Sequence, residues 1–396
     1  MKPATRNPLR SRLASTQARS EASQQLETSN LIVCSPQLGL NPNSILGGEV
    51  FDREILMGLA REGIKVDIIL PKGKPNDNNR NWNITYLPLT HFPAVLGNLI
   101  YLPYLFKVYK KRKFQILRIH QPQFLGLACL FFRLFRREIK LVATYHQFRE
   151  TKFGPFSKFI NQKWNNIICD SLAVKNKIIQ AYQISSDKIT VVHNGVPRYL
   201  KPTKKDKVLV KKLNLEGKII LLFMGLFIER KNPLFLLEVL SKLTRTRPNI
   251  VLLFWGDGPL KPQIIKKAGE LAVTDKIRFV SSTFGPDKNK IHNLADIFVH
   301  PSTDEGFALA PLEAMASAKP IVITNGYSAA EAVEDSVNGF LCRLNDLNHW
   351  TGNLNLLISD NKFKEKMGKA SLDKVKKEFQ WSKSVAMHVK VFSKFE

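Results

Sequence analysis

The chain has 396 residues, 44% of them hydrophobic, enough for two domains of ordinary size, each with its own core. No stretch reaches about 18 unbroken apolar residues, so no transmembrane span is predicted. Charge is unbalanced, with 60 Lys+Arg against 33 Asp+Glu and a formal net charge of +27; anionic membrane surfaces, nucleic acid and plain solubility all account for such a surplus.

Residues 1–29 are polar, Ser/Gln/Arg-rich and nearly free of large apolar side chains, the composition of a disordered tail. They lack the apolar stretch of a secretory signal; an organelle-targeting or mistranslated leader is the alternative. From Leu31 the pattern changes to short apolar runs alternating with amphipathic helices, the signature of a parallel α/β fold. The first set of predicted strands is Leu31–Ser35, Lys65–Leu70, Phe114–Ile119, Ile139–Thr144, Asn166–Cys169 and Ile189–His193, with a helix over Glu49–Glu62 after the first strand. A turn-rich, charged stretch, Asn194–Asp206, reads as a linker. The second set is Lys218–Met224, Asn249–Phe254, Ile277–Val280, Ile297–Val299 and Ile321–Ile323. Two successive open sheets predict two similar lobes with a cleft between them: 30–197, then 198–379, with a closing helix over 380–396 that returns to the first lobe.

The basic surplus is uneven. Positions 101–200 hold 18 basic and 4 acidic residues, whereas positions 301–350 hold 2 and 7. Within the first half, Phe92–Lys113 is apolar and then strongly basic, and Leu130–Arg137 repeats the theme. Such segments either lie in a membrane interface with their cations on anionic headgroups or pack as lobe helices with solvated ends. The basic residues lack a recognisable nucleic-acid motif or regular aromatic interleaving, so no nucleic-acid partner is expected. Cys34, Cys129, Cys169 and Cys342 stand far apart without metal or disulfide spacing, and read as buried reduced thiols of a cytosolic protein.

Candidate site residues cluster where strands end, which is where ligands sit in open α/β sheets. Gly47-Gly48 precedes the first helix, and paired glycines there allow close backbone approach and deliver a helix N-terminus to an anion. No GxGxxG fingerprint accompanies them, which counts against a nicotinamide enzyme. His146 ends the fourth predicted strand, and His120, after the third, is a weaker candidate. In the second lobe Gly225 is followed by two adjacent cations, Arg230 and Lys231. The most informative segment is Pro301–Glu313, which sets Glu305 and Glu313 eight positions apart. On one continuous helix they would be about 80° apart, so a loop leading into a helix fits better. Pro311 would take the first helical position and Glu313 the first turn. Glu305 and Gly306 would stay in the loop, and the N–H groups of Phe307, Ala308 and Leu309 would be free for ligand oxygens.

This segment resembles the Glu-x7-Glu signature of the retaining, nucleotide-sugar-dependent glycosyltransferases of group 1. Gly47-Gly48, Tyr145-His146-Gln147, Gly225…Lys231, Gly256-Asp257-Gly258-Pro259 and Phe379-Gln-Trp381 resemble further landmarks of that family. The resemblance spans residues 31–392 and is strongest over 215–345. It implies a GT-B fold of two Rossmann-like, doubly wound domains, an acceptor lobe followed by a donor lobe, and transfer of a hexosyl group from a UDP- or GDP-linked sugar to a glycan or lipid-linked acceptor of the cell envelope. Glu305 would orient the donor sugar and Glu313 the ribose hydroxyls, since an ionised carboxylate offers two acceptor oxygens. Lys231 and Arg230 would neutralise the diphosphate, His146 would polarise a sugar or acceptor hydroxyl, and the leaving diphosphate would help take the acceptor proton. No cofactor or metal is implied, because basic residues stand in for a cation and no Asp-x-Asp cluster is present. The expected location is cytoplasmic, peripheral on the inner membrane face. Five positions depart from the pattern: Leu226 stands at the family arginine, Ala308 and Ala318 at glycines, and Tyr327 and Ser328 at a glycine pair that passes close to phosphate. These departures motivate the alternative of a catalytically silent nucleotide-sugar-binding protein.

Overall fold

A computed structural model describes residues 30–44, 46–77, 79–88, 96–120, 122–148 and 156–395, and every statement below concerns these. The tail 1–29 lies outside them, as do residues 92–95 of the apolar-basic segment.

Thirteen strands form two wholly parallel sheets. The first contains β1 (Ile32–Pro36), β2 (Lys65–Pro71), β3 (Trp82–Leu87), β4 (Ile116–His120), β5 (Lys140–Tyr145), β6 (Asn166–Cys169) and β7 (Ile189–Val191), in the order β3-β2-β1-β4-β5-β6-β7. The second contains β8 (Ile219–Met224), β9 (Ile250–Trp255), β10 (Ile277–Val280), β11 (Ile297–His300), β12 (Ile321–Thr324) and β13 (Gly339–Cys342), in the order β10-β9-β8-β11-β12-β13. Strand order reverses at β1/β4 in one sheet and β8/β11 in the other, and a crevice opens at the carboxyl ends of strands at each reversal. Apolar clusters cover both faces of each sheet, which is why the central strands read as unbroken hydrophobic runs.

Two strands escaped the sequence reading. β3 is an edge strand whose Trp-Asn-Ile-Thr-Tyr-Leu is only half apolar, with just its two ends buried. β13 is four residues long and begins with a glycine, a poor strand former. That glycine is required, because a Cβ on Gly339 would collide with the carbonyl oxygen of Ile321.

The helix Trp381–Phe392 returns to the first lobe and packs on the helix Gly47–Arg61, where a side chain on Gly58 would collide with Val385. Ser384 Oγ donates to the His193 carbonyl at 2.7 Å, and Val196 N–H donates to the Phe379 carbonyl at 3.1 Å. The predicted linker is not a free tether: Lys201 N–H and Thr203 N–H donate to the side-chain oxygens of Asn289 and Asn293 at 3.0 and 2.8 Å. All four cysteines are buried and unpaired. No described helix is long and apolar enough to cross a membrane.

Candidate active site

In the second lobe, the chain leaves β8 through Gly225 (φ +154°), whose N–H donates to the Trp255 carbonyl at 3.1 Å. It then enters a tight turn over Glu229–Lys231. The carbonyl of Arg230 accepts from Ser302 Oγ and Thr303 N–H, both at 2.8 Å, which stitches this turn to the loop after β11. The stitch sets two cations on one carboxylate. Lys231 Nζ contacts Glu305 Oε1, and Arg230 Nη1 lies 2.9 Å from Oε2. Ser302 Oγ donates to Oε1 at 2.8 Å, and His300 Nε2 is 3.7 Å away. Burial alone would raise the Glu305 carboxyl, but Lys231, His300 and Arg230 outweigh it and hold it far below the usual carboxylate range. Burial also lowers the Lys231 ammonium, and Glu305 opposes that shift. The result is a nearly enclosed, ionised pair facing the cleft.

Glu313 sits deeper than expected. Its helix spans Leu309–Ala316, beginning two residues before Pro311, so Pro311 occupies the third position and Glu313 the fifth. Proline is tolerated through the first turn because those N–H groups have no intrahelical partner. Lys288 Nζ donates to Glu313 Oε1 at 2.7 Å and also lies 5.1 Å from the Trp255 ring centroid. Burial would raise this carboxyl too, but Lys288 and His292 lower it to about 2. The expectation of three free amides before this helix needs correction. Phe307 N–H donates to Asp170 Oδ2 of the first lobe at 3.0 Å, which leaves Ala308 and Leu309 at the helix start.

The lobes meet closely here. A side chain on Gly306 would collide with the carbonyl oxygen of His146, so only glycine fits. Phe307 stacks on His193 at 4.5 Å, and Gln147 Nε2 donates to Asp304 Oδ2 at 2.6 Å. Glu331 reaches across to accept from the N–H groups of Leu172 and Ala173, at 2.9 and 2.8 Å, where a helix N-terminus favours an anion. Neither Tyr327 nor Ser328 lines the cavity; Ser328 Oγ donates to the Glu305 carbonyl at 2.9 Å and braces the loop from behind.

On the first-lobe wall, Gly47 and Gly48 open the helix Gly47–Arg61 opposite Leu309. His146 follows β5 and His120 ends β4. Behind both lies Asp52, fully buried, its Oδ1 against Arg118 Nη2 and its Oδ2 against His120 Nδ1, with His146 Nε2 3.8 Å away. Burial opposes the charge on Asp52, but Arg118 and His120 more than offset it and keep the carboxyl well below its ordinary value. Burial lowers His146 to about 4, so it is neutral at physiological pH. Donor atoms of Asp52, His120 and His146 lie within 4.8 Å of one another, a spacing a metal ion could bridge. The buried guanidinium on the same carboxylate already supplies a positive charge, which disfavours a second cation there.

The structure brings Glu305, Gly306, Phe307, Ala308, Leu309, Glu313, Gly225, Arg230, Lys231, Gly47, Gly48 and His146 to the wall of one cavity of ≈ 630 Å³ between the lobes. Leu226, His120, Trp255 and Lys288 line it as well. The sequence reading missed Asp52, Arg118 and Lys288. Asp52 had a signal, since it shares a helical stripe with Ile55, Leu56 and Leu59. Arg118 had one also, as a charge inside the apolar run of β4. Lys288 had none, because its helix is polar throughout most of its length.

Residues 204–374 match the model of the glycosyl transferases group 1, and residues 45–198 match that of glycosyltransferase family 4. Among curated proteins, the chain is 27% identical over 298 residues to the UDP-Gal:alpha-D-GlcNAc-diphosphoundecaprenol alpha-1,3-galactosyltransferase of Escherichia coli, covering 71% of this chain and 76% of that protein. It is 25% identical over 259 residues to spore coat protein SA of Bacillus subtilis, covering 59% and 68%. Two further relatives are matched over 59% and 71% of their lengths. Among solved structures, Anabaena HepE in complex with UDP superposes with a TM-score of 0.76 at 17% identity, covering 92% of this chain and all of that one. The apo form of the lipopolysaccharide outer core galactosyltransferase WaaB superposes with a TM-score of 0.72 at 16% identity, over 92% and 100%. With the two family models joined end to end across both lobes and the GT-B architecture beneath them, the chain belongs to the group 1 glycosyltransferases.

Proposed function

We propose that this chain transfers a hexosyl unit from a nucleoside diphosphate sugar, UDP- or GDP-linked, to a glycan or lipid-linked acceptor of the cell envelope, with retention of anomeric configuration and without a metal ion. The observation that carries the reading is the pairing on one cavity wall of Glu305 with Lys231 and Arg230, and of Glu313 with Lys288. An arriving donor would offer hydroxyls to the carboxylates and phosphate oxygens to the cations, exchanging each internal partner for a ligand group of the same polarity. Arg230 lines the cavity and supplies the second positive charge that Leu226 lacks, which favours a competent enzyme over a silent binding protein. The name of the E. coli relative and the UDP bound in HepE motivate UDP as the first donor to try. UDP at about 100 times its dissociation constant adds about 2.7 kcal/mol to folded-state stability, which raises the melting temperature of a chain this size by roughly 3 °C. No shift with UDP, GDP or their sugars would remove the reading.

Attachment to an anionic membrane face belongs to the same proposal. The helices Gly97–Arg112 and Pro122–Phe135 pack together, with Phe106 and Phe132 at 4.9 Å, and leave Leu99 and Leu134 73% and 68% exposed. Phe131 and Phe135 are exposed on the same helix as Leu134, and Lys110, Lys111, Lys113, Arg136 and Arg137 are exposed at or just past the C-terminal ends of the two helices. Apolar side chains entering the interface while cations meet headgroups explain both features together. The protein should sediment with vesicles containing phosphatidylglycerol at low salt, and Leu134→Glu with Phe135→Glu should reduce binding at least about tenfold. Equal sedimentation of the double variant would refute the docking face.

A further inference from the structure

We propose that Asp170 and Asn194 are positioning residues for transfer: from the first lobe they hold Phe307 by both polar groups of its backbone, and so fix the loop that carries Glu305 and the helix start behind it. This goes beyond the transfer reaction above, on which it rests. The first lobe then completes the donor site as well as facing the acceptor, and the lobes must be together before that site has its working shape.

The loop after β11 is braced in two halves. Up to Glu305 its partners belong to the second lobe: Thr303 N–H donates to the Arg230 carbonyl, and the Glu305 carbonyl accepts from Ser328 Oγ. From Gly306 onward the partners change sides. A Cβ on Gly306 would run into the His146 carbonyl oxygen. Phe307 N–H donates to Asp170 Oδ2 at 3.0 Å, and the Phe307 carbonyl accepts from Asn194 Nδ2. Asp170 directly follows β6 and Asn194 lies shortly past β7, so two paired strands of one sheet place the two side chains. Both residues are 3% exposed, so water does not compete for either bond, and an unmade bond would strand a buried polar group. Phe307 stands between Glu305 and Leu309, where the helix Leu309–Ala316 opens. A shift of Phe307 therefore carries with it both the carboxylate that meets the sugar and the Ala308 and Leu309 amides at the helix start. Burial pushes the Asp170 carboxyl well above its ordinary range, and the bond from Phe307 opposes this only in part. Moved toward its neutral form, the carboxyl accepts through a carbonyl oxygen, the same acceptor that an asparagine presents.

Two measurements on the full chain test the clasp. Hydrogen exchange on the ligand-free protein should show the Phe307 amide protected at least about 10²-fold over an open loop amide; exchange at the open rate overturns the proposal without any substrate or variant. In the second, UDP release from UDP-glucose is followed with water as acceptor. Asp170→Ala should lower kcat by about 10²-fold, the cost of a misplacement of about 1 Å. KM for UDP-glucose should stay within about threefold, because charge on the leaving group grows only as the bond breaks and Glu313, Lys231 and Arg230 keep their own partners. Asp170→Asn should turn over within about threefold of wild type, since an amide oxygen accepts from the same N–H. Asn194→Asp should be as slow as Asp170→Ala, because a carboxylate cannot donate to the Phe307 carbonyl. Wild-type turnover by Asp170→Ala or Asn194→Asp, or an Asp170→Asn variant as slow as Asp170→Ala, would overturn the assignment. So would a KM that rises in step with the loss of kcat, which would make Asp170 a donor contact. If Asp170→Ala does not fold, the Asn194→Asp rate and the Phe307 exchange decide. If wild type shows no UDP shift at all, the donor reading fails, and the exchange measurement still decides the clasp.

Discussion

Replacing Lys231 with alanine should lower the turnover number with a nucleoside diphosphate sugar by about 10²–10³-fold, the range seen when one preorganised donor to a developing anion is removed. Lys231 is the cation best placed for this. Its side chain is 12% exposed, against 32% for Arg230, so its charge acts in a drier environment. It is also the group that chiefly holds Glu305 ionised. Its loss therefore removes a cation from the diphosphate and raises the pKa of the carboxylate that would meet the sugar. Arg230→Ala should cost less, about tenfold, because its guanidinium is already partly screened by water. Donor affinity, read from the UDP-induced melting shift, should fall less than turnover in Lys231→Ala, since charge on the leaving group grows only as the bond breaks. Turnover within threefold of wild type would end the assignment of Lys231 to the diphosphate.

The fold was legible to the extent that burial on both sheet faces writes continuous apolar runs. β5, β8 and β9 announced themselves that way, with boundaries off by a residue or two because strand ends fade into buried loops. β3 and β13 lacked that signature, one because an edge strand is half-solvated and the other because close backbone pairing calls for glycine. The positions that line the cavity were legible wherever backbone geometry restricts residue type, as at Gly306 and Gly225. What stayed hidden was the partnership between side chains from distant segments. Lys288 and Glu313 are 25 residues apart, and Asp52 and Arg118 are 66 apart. Either member alone is an ordinary charged residue, and only tertiary packing makes them pairs. Glu331 illustrates the same point across the cleft, since two of its contacts are to backbone N–H groups, which no side-chain motif records.

Replacing Arg118 with methionine should destabilise the protein by about 3–5 kcal/mol, the cost of removing one member of a buried ion pair, and lower its melting temperature by roughly 4–6 °C. Both side chains are 0% exposed, so Asp52 could not recover its lost partner from water. His120, against the other carboxylate oxygen, and His146 are the polar neighbours that Asp52 would keep. Removing both charges, with Asp52→Leu added to Arg118→Met, should recover much of the lost stability, because a well-packed apolar pair is often as stable as a buried ionic one. If Arg118→Met melts within 2 °C of wild type, the guanidinium is not the partner that makes a buried carboxylate tolerable on an otherwise apolar helix face. If the double variant melts no higher than Arg118→Met alone, the stability lost with the guanidinium is not the cost of leaving Asp52 unpaired.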